Sequence, residues 1–385
     1  VPERKRILIV IDSMEVAGSQ RQVQHLLAGL DRQRWEPELA FFRTDSFLAQ
    51  AVRDSGIPVH YLPKRRRMDL RFLLDYARLL RERDYALVHA YSLTAELWTL
   101  PAQILARRRP VLVASERSSQ RRDRPAWYWW LKRLVLGRSA AVIANSSAGA
   151  QSTASRTGMP DALFTTIVND VDLPEPLDAP TRTAVRESIG APEGRLLGLF
   201  VGRLAPVKNL PCLIRALAQL ASAQRPWIAL AGNGPLTGSL QDLAQECGVA
   251  ADVTFLGERA DATRLMLAAD FLVLPSHMEG LSNALLEAMA ARCPVIASAV
   301  GGSVELIDDG RTGLLFPSDD AAALAVAMAR LSDPSLRDAL LRAARTYVEK
   351  HHSQAALVAA TSAVYERCLR AMPAGAQVFA HGAGK

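Results

Sequence analysis

The stretch FLVLPSHMEGLSNALLEAMAARCPVIAS, residues 271–298, runs from one apolar segment through a polar turn and a helix pattern into a second apolar segment. FLVLP and PVIAS are short, uniformly apolar and bounded by turn residues, so they read as strands buried on both faces. Between them Ser282 or Asn283 suits the N-cap of the helix pattern NALLEAMAA. Strand, helix and strand in this order make a βαβ unit, and βαβ units build parallel sheets.

The same alternation fills both halves of the chain. In the first half the strand patterns are RILIVID, EPELAFF, VHYLP, ALVHAYS, PVLVAS and AAVIANS; in the second they are LLGLFVGR, WIALAG, DVTFLG, FLVLPS, PVIAS and GLLF. A length of 385 residues exceeds one ordinary core and suits two. The expected fold is therefore α/β, with two Rossmann-like doubly wound parallel-sheet domains facing a cleft. Prolines 174, 176 and 180 suit a linker. The expected division is a first domain over 1–175, a linker over 176–190, a second domain over 191–352, a helix over 353–372 that crosses back to the first domain, and a flexible tail over 373–385.

Hydrophobic residues at 49% and charged ones at 22% are ordinary for a folded globular chain. No apolar run approaches the roughly 18 residues that span a bilayer, and VPERKR lacks a signal-peptide core, so a cytoplasmic location is expected. Cys212, Cys247, Cys293 and Cys368 form no C-x-x-C pair and read as reduced thiols. The net charge of +7 is unevenly placed: from Arg107 to Arg138 there are ten basic and two acidic residues. KRRRMDLR at 64–71 adds to the same half, which therefore prefers anionic surroundings.

Ligands of open parallel sheets sit beyond the carboxyl ends of the strands, so the residues just after each strand carry the chemistry. After LLGLFVG come Arg203 and Lys208, followed by a helix pattern whose N-terminal amides attract anions. They form either a diphosphate clamp or a solvated pair on a loop. After WIALAG, Gly234 in GNGPL either lets backbone approach a ligand or only makes a tight turn. Glu279 falls in the loop after FLVLP, and Glu287 about one turn inside the helix. Gly280, Leu281 and Ser282 offer amides at that helix start, suited to a phosphate. The carboxylates would repel a phosphate and must serve hydroxyl groups. Amides, cations and two acids together fit a nucleotide sugar.

The segments VGRLAPVKN, LAGNGPL, FLGER and LPSHMEGLSNALLEAMAARCPVIASAVGGSVELIDDGRTGLLF, over roughly 197–317, closely resemble the retaining glycosyltransferases of family 4, which have the GT-B fold. Glu279 and Glu287 stand at the ends of that family's E-x7-E pattern. The resemblance implies that Arg203 and Lys208 hold and stabilise the donor diphosphate as it leaves, and that Glu279 contacts the transferred sugar. It assigns Glu287 to the ribose and the backbone from Gly257 to Arg259 to the base. Transfer with retention, usually without a metal, follows from the same likeness, and no cofactor is expected.

In the first half MEVAGSQRQVQHLLAGL is similar to the family's glycine-rich first turn, with Gly18 kept for close approach to donor phosphates while Ala17 and Gln20 depart from the pattern. His89 aligns with the first histidine of the family's H-x-H, but Tyr91 replaces the second. His89 is therefore read as structural, and Tyr91 and Ser92 as acceptor-side candidates. Glu116 and Arg117, at another strand end, would touch the acceptor or bridge to each other, and Asp170 stands where the family commonly has glycine. Trp127, Trp129 and Trp130 among arginines suit an anionic membrane surface; a core helix with a solvated basic face is the equal alternative. No recognised nucleic-acid motif accompanies the charge.

The expected activity is sugar transfer from a UDP- or GDP-linked donor to a glycan or lipid-linked acceptor. That activity belongs to cell-surface polysaccharide or glycolipid synthesis, peripherally on the inner face of the cell membrane. The alternatives are a sugar-nucleotide epimerase or phosphorylase of the same fold, or a non-catalytic nucleotide-sugar-binding protein.

Overall fold

The computed structural model describes residues 4–15, 18–66, 68–117 and 124–371. The expected tail over 373–385 lies outside the described residues, as do Ala17 and residues 118–123. The chain forms two compact units: one takes the described residues up to Asp170 together with those from Gln354 onward, the other Val171–Ser353. Each is a Rossmann-like α/β domain with a wholly parallel sheet.

The first sheet has seven strands: β1 Lys5–Ile11, β2 Trp35–Phe41, β3 Val59–Tyr61, β4 Leu87–Ala90, β5 Val111–Glu116, β6 Ala141–Ala144 and β7 Phe164–Thr166. Their order is β3-β2-β1-β4-β5-β6-β7, which reverses direction between β1 and β4. Strand β1 shows why the run RILIVI is apolar throughout. Ile7, Ile9 and Ile11 enter one core with Val23, Leu26, Leu357 and Tyr365, while Leu8 and Val10 enter the opposite core with Phe72, Tyr76 and Leu80. Successive side chains of a strand point to opposite faces, so a sheet covered on both sides needs both parities apolar. The helix Gln354–Arg370 supplies Leu357, Val364, Tyr365 and Cys368 to the first of these cores.

The second sheet has six strands: β8 Leu197–Val201, β9 Trp227–Ala231, β10 Val253–Gly257, β11 Phe271–Leu274, β12 Val295–Ser298 and β13 Leu314–Phe316. The order β10-β9-β8-β11-β12-β13 places the switch between β8 and β11. The residues 271–298 form the expected βαβ unit, with the helix Asn283–Ala290 between β11 and β12.

Two features differ from the sequence expectation. The strand β7 is a three-residue edge strand, FTT, without the apolar run that betrays an inner strand. The stretch 176–190, expected as a linker, contains the helix Ala179–Ser188, and Val185 and Ile189 are buried in the second unit's core. Pro180 sits in that helix's first turn, where a missing N–H costs nothing. Arg182 and Arg186 then hold Asp270 at 2.7 and 2.9 Å, tying the helix to the start of β11. All four cysteines are free thiols.

Candidate functional site

In the second unit the loops at the carboxyl ends of the strands interlock. Lys208 lies in a short 3-10 turn, Pro206–Lys208, that follows β8, and its Nζ meets Glu279 Oε1 at 2.6 Å. The pair is neither fully buried nor freely solvated, with side chains 22% and 10% exposed. Ser276 Oγ donates to the same Oε1 at 2.5 Å, so one carboxylate oxygen receives two donors. Charge-assisted bonds of this kind fix a carboxylate's orientation better than a neutral bond does. Arg203 is exposed, with no ion-pair partner among the described residues.

Glycines hold these loops at close range. Gly301 has φ +48, and a Cβ there would lie 1.9 Å from the carbonyl oxygen of Glu279; one on Gly302 would lie 2.3 Å from that of Gly280. The Gly302 N–H donates to the Glu279 carbonyl at 3.2 Å. Only glycine lets the loop after β12 support the peptide that carries Glu279. Sequence reasoning quoted Gly301, Gly302 and Ser276 within motifs but assigned them no role. Nothing in their spacing signals a backbone-to-backbone contact.

Gly234 packs closely on a neighbouring loop. A Cβ on it would fall 2.2 Å from the Leu204 carbonyl oxygen, so its close approach is to the loop after β8. Gly257 lies in the left-handed region at the end of β10, and two residues on Arg259 is chelated by Asp261 at 2.8 and 2.7 Å. Leu281 and Ser282 are buried at the start of the helix Asn283–Ala290. Ser282 occupies the N-cap position without a side-chain capping bond, so its hydroxyl does not fill that role. Glu287 is half-buried on the helix, one turn inside as expected.

In the first unit Gly18 opens the helix Gly18–Gly29, and Gln20 Nε2 donates to the Ser13 carbonyl at 3.1 Å. His89 is fully buried, its Nδ1 hydrogen-bonded to the Tyr365 hydroxyl at 2.7 Å and its Nε2 to Ser115 Oγ at 2.8 Å. Burial, with the Arg117 charge nearby, holds His89 well below the ordinary imidazole value. Both of its ring nitrogens are thus engaged by buried hydroxyl groups. Tyr91 is buried beside it at 4.4 Å between ring centres, with the Arg117 guanidinium over the Tyr91 ring at 4.8 Å. Arg117 Nη1 also donates to Asn169 Oδ1 at 2.7 Å.

The other two acceptor-side candidates, Ser92 and Glu116, are engaged by neighbours in the fold. Ser92 caps the helix Leu93–Ala106, accepting from the Ala95 N–H at 3.1 Å, and donates to Asp12. Glu116 is buried, accepts from Thr153 Oγ1 at 3.0 Å and lies 3.7 Å from Lys132 Nζ, so its charged partner is Lys132. Lys132 itself is buried on Glu96 at 3.0 Å. Burial pulls its pKa down, but the two carboxylates outweigh that and hold it above the ordinary lysine value. The basic face of the helix Ala126–Leu136 is thus partly an interior ion-pair network. Trp127 and Trp130 remain 54% and 64% exposed, whereas Trp129 lies under the Arg156 guanidinium at 4.9 Å. No helix among the described residues is long and apolar enough to cross a membrane.

Comparison with known proteins bears on both halves. The family model "Glycosyltransferase Family 4" matches residues 16–175, and "Glycosyl transferases group 1" matches residues 181–347. A D-inositol 3-phosphate glycosyltransferase of Kineococcus radiotolerans is 31% identical over 325 residues, covering 75% of this chain and 73% of that protein. Its counterpart in Saccharomonospora viridis is 35% identical over 204 residues, covering 50% of this chain and 47% of that one. The chain thus spans about half the length of some curated relatives it matches. Anabaena HepE, solved in complex with UDP and glucose, superposes with a TM-score of 0.84 at 20% identity over 94% of this chain and 100% of its own. At that identity the likeness is one of fold.

Proposed function

Because the chain belongs to glycosyltransferase family 4, we propose that it transfers a sugar from a nucleotide-linked donor, UDP or GDP, to a glycan or lipid-linked acceptor. The observation that carries this reading is the Lys208–Glu279 pair at the carboxyl end of the second sheet, with the helix Asn283–Ala290 starting just beyond it. A cation and helix-start amides suit the diphosphate of a nucleotide sugar, and a carboxylate suits its hydroxyl groups. UDP is the favoured base carrier, since Anabaena HepE was solved with UDP and glucose.

In this reading Arg203 and Lys208 hold the diphosphate. Departure of the nucleoside diphosphate builds negative charge on its oxygens, and fixed cations and oriented amides stabilise that charge where it develops. The amides of Gly280, Leu281 and Ser282 complete the anion site. Glu279 faces the sugar. Both of its hydrogen bonds land on Oε1, so Oε2 serves a sugar hydroxyl and favours positive charge developing at the anomeric carbon. Glu287 takes the ribose hydroxyls. The backbone near Gly257 and Arg259 takes the base, with the Arg259 side chain committed to Asp261. Within the first unit, Arg117, stacked on the buried Tyr91, is the group we assign to the acceptor. The protein's own cations perform the neutralisation a metal performs elsewhere, and the reaction retains anomeric configuration.

Peripheral association with the inner face of the cell membrane fits the exposed Trp127 and Trp130, for indole rings settle at the headgroup level. It would bring a lipid-linked acceptor of polysaccharide or glycolipid synthesis to the first unit. The deciding experiment incubates the protein with UDP- and GDP-sugars and follows release of nucleoside diphosphate. Release above the enzyme-free rate is expected with one donor series. Donor binding with no release or transfer identifies a non-catalytic nucleotide-sugar-binding protein instead.

A further inference from the structure

Three consecutive residues after β8 each hold a different partner. The Val207 carbonyl accepts from the His277 N–H at 2.9 Å. Lys208 Nζ donates to Glu279 Oε1 at 2.6 Å. Asn209 Nδ2 donates to Asp319 Oδ1 at 2.9 Å. Asp319 closes the set, because its Oδ2 lies 3.3 Å from His277 Nδ1. The loop that carries Glu279 and the loop after β13 are therefore tied to residues 207–209 and also to each other.

The backbone marks two of these positions as unusual. Asn209 has φ +49 and Asp319 has φ +67, so both partners of one side-chain bond occupy the left-handed region. Glycine adopts that region freely; among residues with a Cβ, asparagine and aspartate visit it most readily, still at some cost relative to glycine. Asn209 is buried and Asp319 is largely exposed, so neither hydrophobic packing nor a shared core accounts for both. The chain keeps two bonding side chains where glycine would fit with less strain, and such strain is retained where the surrounding contacts over-determine it. Those contacts flank Lys208 on both sides, through Val207 and Asn209.

We infer that Asp319 and Asn209 are positioning residues that hold Lys208 against Glu279, with His277 as the third point of the brace. The inference rests on the reading of Lys208 and Glu279 as donor-site groups for its functional meaning, but its geometry stands apart from that reading. Asn209 is the residue next to Lys208, and its amide anchored on Asp319 fixes the turn from which Lys208 projects. His277 is two residues before Glu279 and is gripped from both sides, by Val207 through its backbone and by Asp319 through its ring. Neither Asp319 nor Asn209 needs to touch the donor. Their effect is to keep cation and carboxylate in register before the donor arrives, which is how preorganised sites avoid reordering during a reaction.

The test uses the full chain as wild type, Asp319→Gly, Asn209→Gly and Asp319→Asn. Glycine removes the bond and also the backbone strain, so the fold is kept while the tie is cut; asparagine retains an acceptor for Asn209. Lys208 is acetylated with an N-hydroxysuccinimide ester under limiting conditions and followed by peptide mass spectrometry, with exposed Lys350 as internal reference. Losing one net hydrogen bond changes an equilibrium by about threefold to tenfold, so Lys208 should be acetylated at least about threefold faster in both glycine variants. Tm should stay within a few degrees of wild type, and Asp319→Asn should stay near the wild-type rate. Unchanged acetylation in the glycine variants overturns the inference. So does a large loss of Tm in both, which would make the contact a brace for the fold and not for Lys208. UDP and GDP titrations are read separately. If the wild type binds neither nucleotide the donor reading fails, and the acetylation rates still decide the positioning role.

Discussion

At the residue scale, the proposed reaction divides the side chains of the second unit into those that meet a ligand and those that set them up. Lys208 and Glu287 belong to the first group in the proposed reaction. Replacing either by alanine should weaken donor binding or turnover at least about tenfold, equivalent to ~1.4 kcal/mol of lost stabilisation. Steady-state kinetics against the donor measures this, and wild-type values in both variants would remove the site assignment. His89 belongs to neither group. Both its ring nitrogens are engaged inside the first unit, one by Tyr365. Tyr365→Phe leaves Nδ1 buried without a partner and should cost about 1–3 kcal/mol. Urea denaturation reads that loss, and donor binding should not change. The sequence already suggested that His89 was structural, from the tyrosine at position 91. It could not reveal the partner, because Tyr365 is 276 residues away.

At the element scale, the helix Ala179–Ser188 shows how long-range electrostatics overrides local composition. Its proline and polar residues resemble a linker, yet Arg182, Arg186 and the Leu197 N–H converge on Asp270. Burial alone would raise the Asp270 pKa, but the Leu197 N–H and the two arginines outweigh it and lower it below the ordinary aspartate value. The folded pKa is depressed, so the stabilisation is fully present above the unfolded value of about 4 and disappears as pH falls through the lower folded value. Asp270→Asn should flatten the acid limb of the stability curve of the second unit, as followed by thermal unfolding between pH 3 and 7, on the order of the range in which carboxylates titrate. An unaltered acid limb would show that Asp270 contributes nothing to it. The helix Ala126–Leu136 carries the opposite lesson. Its sequence looks like a basic surface helix, but Lys132 faces inward to Glu96 and Glu116. Trp127 and Trp130 are its exposed large apolar side chains. Flotation with anionic liposomes should recover the wild type and lose Trp127→Ala combined with Trp130→Ala; equal recovery of both counts against membrane contact.

At the scale of the whole molecule, the first unit is discontinuous in sequence. The helix Gln354–Arg370 belongs to it and buries Leu357, Val364 and Tyr365 in one of its cores. A chain ending at Ser353 removes these groups together, each large buried side chain being worth ~2–5 kcal/mol. Hydrogen exchange should then rise across β1, β4 and β5 while the core strands β8 and β11 keep their protection. Uniform protection in both sheets would mean that the helix is dispensable. For the intact chain, a nucleotide sugar bound at one hundred times its Kd should stabilise the folded state by about 2.7 kcal/mol, which a thermal-shift screen over donors detects.

The apolar runs with breakers between them determined the two parallel sheets, because a strand buried on both faces must be apolar at every position. They marked all but one of the strands; β7 escaped because an edge strand of three residues carries no such constraint. The order of glycines, cations and acids after the second-half strands likewise placed Lys208 and Glu279 at the strand ends and Glu287 one turn into the following helix. Tertiary structure alone decided which of them meet. Lys208 and Glu279 are separated by 71 residues, and Asn209 and Asp319 by 110. The glycine pair Gly301-Gly302 supports the Glu279 peptide through contacts that no local pattern encodes. Local periodicity records which face of an element is covered. The partner across a turn depends on how the sheet orders its strands, and that order is a property of the folded chain.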